Sequence, residues 1–242
     1  MSLLELDLVS KRYGGVLALD QVSLTVDEGA IVGVMGANGA GKTTLFAVIA
    51  GNERPSSGDV RLAGRSLVGL RPDQVARRGV ARTFQIVRPF RGLTVRENVL
   101  TAARFGTRGA ADAVAARRAA DEIIEQVGLG SERDRPAGAL TLSAQTRLEI
   151  ARAIATGARL VMLDEVMAGL VPAEVDEILA TLRELHRARA LTLLVIEHVM
   201  RALMRLSQEI VVLHLGALIA RGPPAAIAAD PRVQQLYFGA AG

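Results

Sequence analysis

The sequence contains no cysteine and no tryptophan, and only 3% of its residues are aromatic. The absence of cysteine excludes disulfide frameworks, thiolate nucleophiles and zinc–cysteine sites. With so few aromatic side chains, the core has to be built from Ala, Leu, Val and Ile, which is feasible because 50% of the 242 residues are hydrophobic. A chain of this length and composition predicts one compact domain or two closely packed lobes.

Long uncharged apolar runs are also missing. No run approaches the roughly eighteen residues that a membrane-spanning helix needs, and charge interrupts the most hydrophobic stretches at Asp164-Glu165 and Glu197-His198. The first residues lack the positive region and apolar run of a signal peptide. We therefore expect a chain that does not cross a membrane and that contacts one only through other proteins or at its surface.

Lysine is scarce as well. Arginine carries nearly all of the positive charge, and the only lysines are Lys11 and Lys42. The net charge of +4 is spread among acidic residues without a run of five or more like charges, so it does not favour direct binding of nucleic acid. Because a compact ammonium group suits a phosphate site, Lys42 is a candidate phosphate-binding residue.

The order of apolar segments predicts an α/β fold. Residues 30–35 are continuously apolar, as in a strand buried on both faces. Strands alternating with helices imply a parallel sheet with crossovers, and the helix-favouring middle of the chain, 94–127, predicts an inserted lobe. Further strands are predicted at 4–9, 22–26, 59–62, 160–163, 191–196 and 210–215, and helices at 43–50 and 173–189.

Residues 36–43 match the phosphate-binding loop G-x-x-x-x-G-K-[ST] in full, after a predicted strand and before a predicted helix. Glycines let the backbone N–H groups point inward at an anion, and the helix N-terminus adds a favourable dipole. A chance match to a Gly-rich turn is disfavoured because the strand, the helix and the lysine are all in place. The residues expected to contact nucleotide are Gly36, Asn38, Gly39, Ala40, Gly41, Lys42, Thr43 and Thr44.

Polar residues follow other apolar strands. Asp164 and Glu165 end the strand at 160–163, where a carboxylate faces the ligand crevice of a parallel sheet. His198 follows the strand at 191–196 in the same way, and Gln85 stands at the entry to the helical middle. Taken singly, these residues would be an acidic turn, a structural histidine and a surface glutamine.

The order of these elements resembles that of ABC ATPases: phosphate loop, then Gln85, then Asp164-Glu165, then His198. The resemblance extends from Tyr13 to about Phe238. It implies a P-loop NTPase with a RecA-like parallel-sheet core, a small antiparallel β subdomain and an inserted helical subdomain. The core with its β subdomain is expected to comprise 1–85 and 155–242, and the helical subdomain 86–154.

The resemblance also assigns roles and cofactors. ATP and Mg²⁺ are the implied cofactors, with Tyr13 stacking on the adenine and Lys42 reaching the β- and γ-phosphates. Thr43, Gln85 and Asp164 are the implied metal-site residues, and Gln85 also senses the attacking water. Glu165 is the implied catalytic base, and His198 is implied to contact the γ-phosphate.

The chain departs from the family at two loops. Counting back without a gap from residues 147–153, the signature L-S-G-G-Q falls on residues 140–144, Leu-Thr-Leu-Ser-Ala, where Thr141 and Ser143 are the candidate contacts with a partner subunit's nucleotide. A register shifted by two would use Leu142-Ser143, and we prefer the ungapped one. The usual Leu-Asp-Pro is replaced by Leu-Val-Pro at 170–172, which removes an aspartate that bridges subunits.

Several segments resemble subunits for uptake of branched-chain and other hydrophobic amino acids, with relatives for amides or urea; they are 82–85, 93–99, 147–152, 164–170 and 227–239. This resemblance implies transmembrane permease partners, a second ATP-binding subunit in a homo- or heterodimer, and indirectly an extracytoplasmic solute-binding protein. It implies a peripheral position on the cytoplasmic face of a bacterial-type membrane.

Three alternatives stay open at this point. One is a subunit of an ABC exporter, such as those moving lipopolysaccharide. A second is a non-transport ABC protein acting on DNA or ribosomes, although such proteins tend to carry long coiled coils or tandem ATPase domains. A third is a P-loop kinase or GTPase, for which we find neither an acceptor lid nor a guanine-reading N-K-x-D.

Overall fold

A computed structural model describes residues 1–83, 89–107 and 113–238. The chain divides into two compact units, the first formed by Met1–Pro72 with Thr192–Gly242 and the second by Asp73–Leu191. The strands are β1 Ser2–Tyr13, β2 Val16–Asp27, β3 Ile31–Met35, β4 Ser57–Leu62, β5 Arg65–Ser66, β6 Val80–Arg82, β7 Leu160–Asp164, β8 Thr192–Ile196, β9 Glu209–His214 and β10 Ala217–Gly222.

The α-helices are α1 Lys42–Ile49, α2 Pro72–Arg78, α3 Val95–Phe105, α4 Ala113–Gln126, α5 Leu142–Ala155, α6 Pro172–Arg189, α7 Met200–Leu206, α8 Pro224–Ala229 and α9 Pro231–Phe238. Two short 3₁₀ turns, Gly130–Glu132 and Ala137–Ala139, precede α5. Among the described residues, no helix combines the length and the hydrophobicity needed to cross a membrane.

The first unit combines parallel and antiparallel strands. β3 pairs in parallel with β8 on one side and β9 on the other, and β10 adds an antiparallel edge to β9. Every residue of β3 and β8 is buried, as their continuous apolar sequences predict. A second, antiparallel sheet has the order β2-β1-β4-β5, and it extends the two predicted strands at 4–9 and 22–26 into a long hairpin.

The second unit places a short parallel pair beside helices. β6 runs parallel to β7, with Val80 opposite Leu160 and Arg82 opposite Met162. The predicted helical stretch at 94–127 contains α3 and α4, both in this unit. The boundaries of the two compact units lie at 72/73 and 191/192. The division into a helical subdomain at 86–154 and a core formed by the remainder stays a prediction.

The start of α3 shows why the helical stretch begins where it does. The Thr94 hydroxyl accepts a hydrogen bond from the Glu97 N–H, and the Glu97 carboxylate accepts one from the Thr94 N–H at 2.8 Å, forming a capping box. The hydrogen bonds from the Thr94 backbone and then its hydroxyl lower the pKa of the Glu97 carboxyl. The cap therefore stabilises the fold above the carboxyl's unfolded-state pKa and loses its effect as pH falls through the lowered value.

Asn98 fastens the chain before α3 to the helix itself. Its side chain is fully buried. The Oδ1 atom accepts from the Phe90 N–H at 2.8 Å, and Nδ2 donates to the carbonyls of Phe90, Leu93 and Thr94. Because buried polar groups need partners, this one amide fixes the whole turn 90–94.

We predict that Asn98→Ala lowers the free energy of unfolding by about 2–3 kcal/mol, because the backbone groups of the turn lose their buried partner. Urea denaturation followed by circular dichroism measures this change. Thr101→Ala is the matched control on the same helix, since its hydroxyl donates only to its own helix at the Glu97 carbonyl, and it should cost less than about 0.5 kcal/mol. Equal losses in the two variants would contradict the role of Asn98.

Candidate functional site

The phosphate loop joins β3 to α1 in the first unit. Gly41, the N-cap of α1, has a φ of 105°, in the region that only glycine adopts readily. A Cβ on Gly41 would lie 2.6 Å from the Ala18 carbonyl oxygen, and one on Gly36 would lie 2.7 Å from that of Leu213. The glycines at these two positions are therefore required by the close approach of neighbouring backbone.

The side chains of the loop divide into buried and exposed sets. Gly36 and Ala40 are buried, so they offer a nucleotide at most their backbone, whereas Asn38, Gly39 and Thr43 are exposed. Thr43 stands in the first turn of α1, where its hydroxyl is accessible. The Ala40 carbonyl accepts a hydrogen bond from the Gly216 N–H at 3.0 Å, which ties the loop to the turn between β9 and β10.

Lys42 lies against its own loop. Its side chain is buried, and Nζ donates to the carbonyl of Gly36 at 2.6 Å and to that of Ala37 at 3.1 Å. The ammonium is thus fixed beside the backbone N–H groups that the motif directs at an anion. The structure therefore places the Lys42 ammonium on the phosphate loop, and its contact with phosphate stays a prediction.

Tyr13 ends β1 with its side chain partly exposed, and the Lys11 Nζ lies 4.7 Å from the centre of its ring. Such a cation–π contact covers one face of the ring. The same Nζ forms an ion pair with Glu53 at 2.7 Å and donates to the Arg54 carbonyl. Lys11 therefore contacts one face of the Tyr13 ring, and the stacking of adenine on this ring stays a prediction.

The acidic pair lies in the second unit, at the end of the fully buried strand β7. Asp164 is buried, and its Oδ2 accepts a hydrogen bond from Arg82 Nη2 at 2.6 Å. Glu165 follows with a φ of 53°, an unusual conformation for a residue other than glycine. Five other non-glycine residues have a similar positive φ, so the role of Glu165 as catalytic base stays a prediction.

The remaining predicted residues fall in different places. His198 is exposed after β8 in the first unit, beside the buried Glu197. Gln85 lies outside the described residues, so its predicted roles stay predictions. Val171 is exposed immediately before α6, and its N–H donates to the Glu174 carboxylate.

The predicted signature loop at 140–144 is partly wrong as a loop, because α5 begins at Leu142. Thr141 is the N-cap residue, and its hydroxyl accepts a hydrogen bond from the Ala144 N–H. Ser143 is buried in the first turn of the helix, whereas Leu142 is half exposed. The contacts of Thr141 and Ser143 with a partner subunit's nucleotide stay predictions.

A magnesium ion fits the available donors. Among the described residues, no group of three or more His, Cys, Asp or Glu side chains is arranged to hold a metal ion. Mg²⁺ is usually held by only one or two carboxylates together with substrate phosphates and water. A single strand-end carboxylate such as that of Asp164 therefore suits Mg²⁺ bound with a nucleotide better than it suits a metal site built entirely by protein.

The second unit also contains a cavity of about 410 Å³. We call it the α3–α5 cavity, since residues of these two helices contribute half of its wall. Phe90 and Phe105 line it, and both side chains are exposed. Arg82, Glu149 and Arg152 supply the charged part of the wall. Sequence reasoning did not identify this cavity.

The loop and the strand-end acids together define the class of protein as a P-loop nucleotide-binding α/β fold. The chain belongs to the ABC transporter family, because the family model of that description matches residues 19–168, more than half of its length. The fold class and the ATPase activity predicted from the motifs are confirmed: the chain is an ABC ATPase that uses ATP. A second family model, described as branched-chain amino acid ATP-binding cassette transporter, matches residues 217–242.

Individual relatives agree with this assignment. The high-affinity branched-chain amino acid transport ATP-binding protein BraF of Pseudomonas aeruginosa is 40% identical, covering 99% of this chain and 98% of the relative. The corresponding protein LivG of Salmonella typhimurium is 42% identical, covering 95% of each. A crystal structure of the ADP conformation of an ATP-binding cassette of an ABC transporter superimposes with a TM-score of 0.89 at 29% identity, covering 99% of both chains.

We predict that Gly41→Ala abolishes measurable ATP binding, because a Cβ at that position collides with the Ala18 carbonyl and displaces the phosphate loop. Titration with a fluorescent ATP analogue measures the affinity. Gly64→Ala is the matched control, since Gly64 also has a positive φ, of 73°, but a Cβ there meets no atom within 4 Å. Unchanged affinity in Gly41→Ala, or equal loss in both variants, would contradict the account of the loop.

Proposed function

We propose that this chain is the ATP-hydrolysing subunit of an importer for branched-chain or other hydrophobic amino acids. The observation that carries the proposal is the identity of 40–42% with branched-chain amino acid transport proteins over 95–99% of this chain. The match of residues 217–242 to a family model specific to such transporters supports it independently.

The proposed chemistry is attack of water on the γ-phosphorus of ATP. The Glu165 carboxylate takes a proton from the water as the new P–O bond forms, and the bond to the β-phosphate oxygen breaks, releasing ADP and inorganic phosphate. Lys42 and the loop N–H groups stabilise the phosphate charge. The Tyr13 ring stacks on the adenine.

Magnesium chemistry follows from the same assignment. When bound, Mg²⁺ would neutralise part of the negative charge of the phosphates. The proposed oxygen donors are the Thr43 hydroxyl, the Asp164 carboxylate and the Gln85 side chain. His198 is proposed to hydrogen-bond the γ-phosphate, a role that its exposure permits.

Hydrolysis is proposed to require two ATP-binding subunits, each covering the other's nucleotide with the segment around Thr141. Here that segment lacks the glycines of the usual signature, and Thr141 uses its hydroxyl to cap α5. The half-exposed Leu142 is the side chain of this turn that a partner subunit would meet. A different second subunit with an intact signature is therefore as compatible with the chain as a homodimer.

We propose the α3–α5 cavity as the place where a transmembrane permease docks. Its two exposed phenylalanine rings offer an apolar anchor of the kind that dominates protein interfaces, and its arginines offer donors to a partner's carbonyl or carboxylate groups. Such docking places the chain peripherally on the cytoplasmic face of the membrane. In this scheme an extracytoplasmic solute-binding protein delivers the amino acid to the permease.

Export is the second candidate. The lipopolysaccharide export system ATP-binding protein LptB of Haemophilus influenzae is 34% identical over 99% of this chain. That identity is lower than the 40–42% of the branched-chain relatives, so import is preferred. The two hypotheses differ in the direction of transport, which can be measured.

We predict that Glu165→Gln slows ATP hydrolysis by about 10²–10⁴-fold while ATP binding persists, because the amide cannot accept the water's proton. Phosphate release and fluorescent-nucleotide titration separate the two effects. Light scattering of the same variant then tests for an ATP-dependent dimer. Hydrolysis at the unaltered rate would show that Glu165 is not the base.

Transport itself is tested in vesicles that contain the chain with its permease, with ATP and Mg²⁺ enclosed on the side of this chain. We predict uptake of radiolabelled leucine in the presence of a solute-binding protein, and none with the Glu165→Gln variant. Movement of lipopolysaccharide outward without leucine uptake would replace the import hypothesis by export.

A further inference from the structure

Arg82 belongs to two sites at once. Its Nη2 forms the 2.6 Å ion pair with the Asp164 carboxylate, and its side chain also lines the α3–α5 cavity. Both members of the pair are largely buried, with side-chain exposures of 13% for Arg82 and 6% for Asp164. One side chain thus connects the wall of a surface cavity with the proposed metal ligand.

The backbone holds this arrangement in register. Arg82 is the last residue of β6 and pairs with Met162 of β7, two residues before Asp164. The next residue, Thr83, donates its N–H to the Met162 carbonyl at 2.9 Å, and its hydroxyl accepts from the Asp164 N–H at 3.1 Å. The position of the guanidinium relative to the carboxylate is therefore fixed by neighbouring strands.

The pair leaves part of the carboxylate available. Arg82 engages Oδ2, and within the described part of the chain no hydrogen bond reaches Oδ1. Carboxylates that bind a metal commonly accept a hydrogen bond from a neighbouring side chain at one oxygen and bind the metal through the other. Removing that neighbouring side chain typically costs 10–100-fold in metal affinity or activity.

A second arginine of the same cavity provides a comparison. Arg152 forms an ion pair with Glu149 at 2.7 Å and lies 5.0 Å from the centre of the Phe90 ring. It shares the cavity wall and the charge of Arg82, but its ion pair is with a glutamate of its own helix. The two arginines therefore separate an effect on the cavity from an effect on Asp164.

We propose that Arg82 is a positioning residue that couples the α3–α5 cavity to the Asp164 carboxylate. A partner packed in the cavity displaces or immobilises the Arg82 side chain and so changes how Asp164 presents its free oxygen. Coupling between two sites is reciprocal, so a metal–nucleotide complex at Asp164 also changes the cavity. This inference rests on the proposed function, in which Asp164 serves Mg²⁺ and the cavity receives the permease.

The reciprocal effect is measurable on the chain alone. Because the sequence has no tryptophan, Phe105→Trp places a single tryptophan in the cavity wall at a largely exposed position. We expect its emission to change on adding Mg²⁺ to the ATP-bound chain, compared with ATP and a chelator. In the same background, Arg82→Gln should remove this change, and it should raise the Mg²⁺ concentration that half-saturates ATP hydrolysis about tenfold.

Arg152→Gln is the matched control and should keep the Mg²⁺-dependent response, while Arg82→Lys, which retains the charge but not the planar fork, should show a reduced one. A fluorescent ATP analogue without Mg²⁺ verifies nucleotide binding in each variant, and circular dichroism verifies folding. If Arg82→Gln does not fold, Arg82→Lys decides the outcome by its reduced or full response.

A full Mg²⁺-dependent emission change in Arg82→Gln, or in Arg82→Lys where Arg82→Gln does not fold, would overturn the coupling. Equal loss of the change in Arg82→Gln and Arg152→Gln would overturn it as well. So would the absence of any emission change in Phe105→Trp alone although ATP is bound. Failure of the proposed function looks different, because it appears as absent leucine uptake in the vesicle assay while the Mg²⁺-dependent response of Phe105→Trp persists.

Discussion

The structure depends on how closely the backbone packs around the phosphate loop. Neighbouring carbonyl oxygens approach Gly36 and Gly41 so nearly that a methyl group at either position would collide with them. This packing fixes the loop between a buried strand and the first turn of α1, and the Lys42 ammonium donates to the Gly36 carbonyl of the same loop. The shape of the loop is therefore set by its backbone packing, and the phosphate contact proposed for it relies on that shape.

The acidic end of β7 differs from the phosphate loop, because its burial and backbone conformation are energetically costly. Asp164 is a buried carboxylate, and burying its charge is costly unless the charge is paired. Glu165 has a left-handed backbone conformation that residues other than glycine rarely adopt. The Arg82 ion pair and the Thr83 hydrogen bonds stabilise this arrangement.

Much of the fold and site could be predicted from short-range patterns. The phosphate loop is one continuous segment, and the buried strands β3, β7 and β8 are continuous apolar runs, so local sequence was sufficient for them. The start of α5 at Leu142 was not predicted, because the comparison with the family treated this segment as a loop and neglected the N-cap preference of Thr141. The contact of Lys11 with Tyr13 and Glu53, and the pairing of Arg82 with a carboxylate 82 residues away, depend on tertiary structure that no local pattern contains.

The measurement that tests the central claim most directly is equilibrium dialysis of the unaltered chain against radiolabelled ATP, with and without Mg²⁺. The account predicts saturable binding of one ATP per chain, displaced by unlabelled ADP, because the phosphate loop is complete within this chain. An absence of saturable binding in a folded preparation would contradict the assignment of the loop, and with it the function proposed for the whole protein.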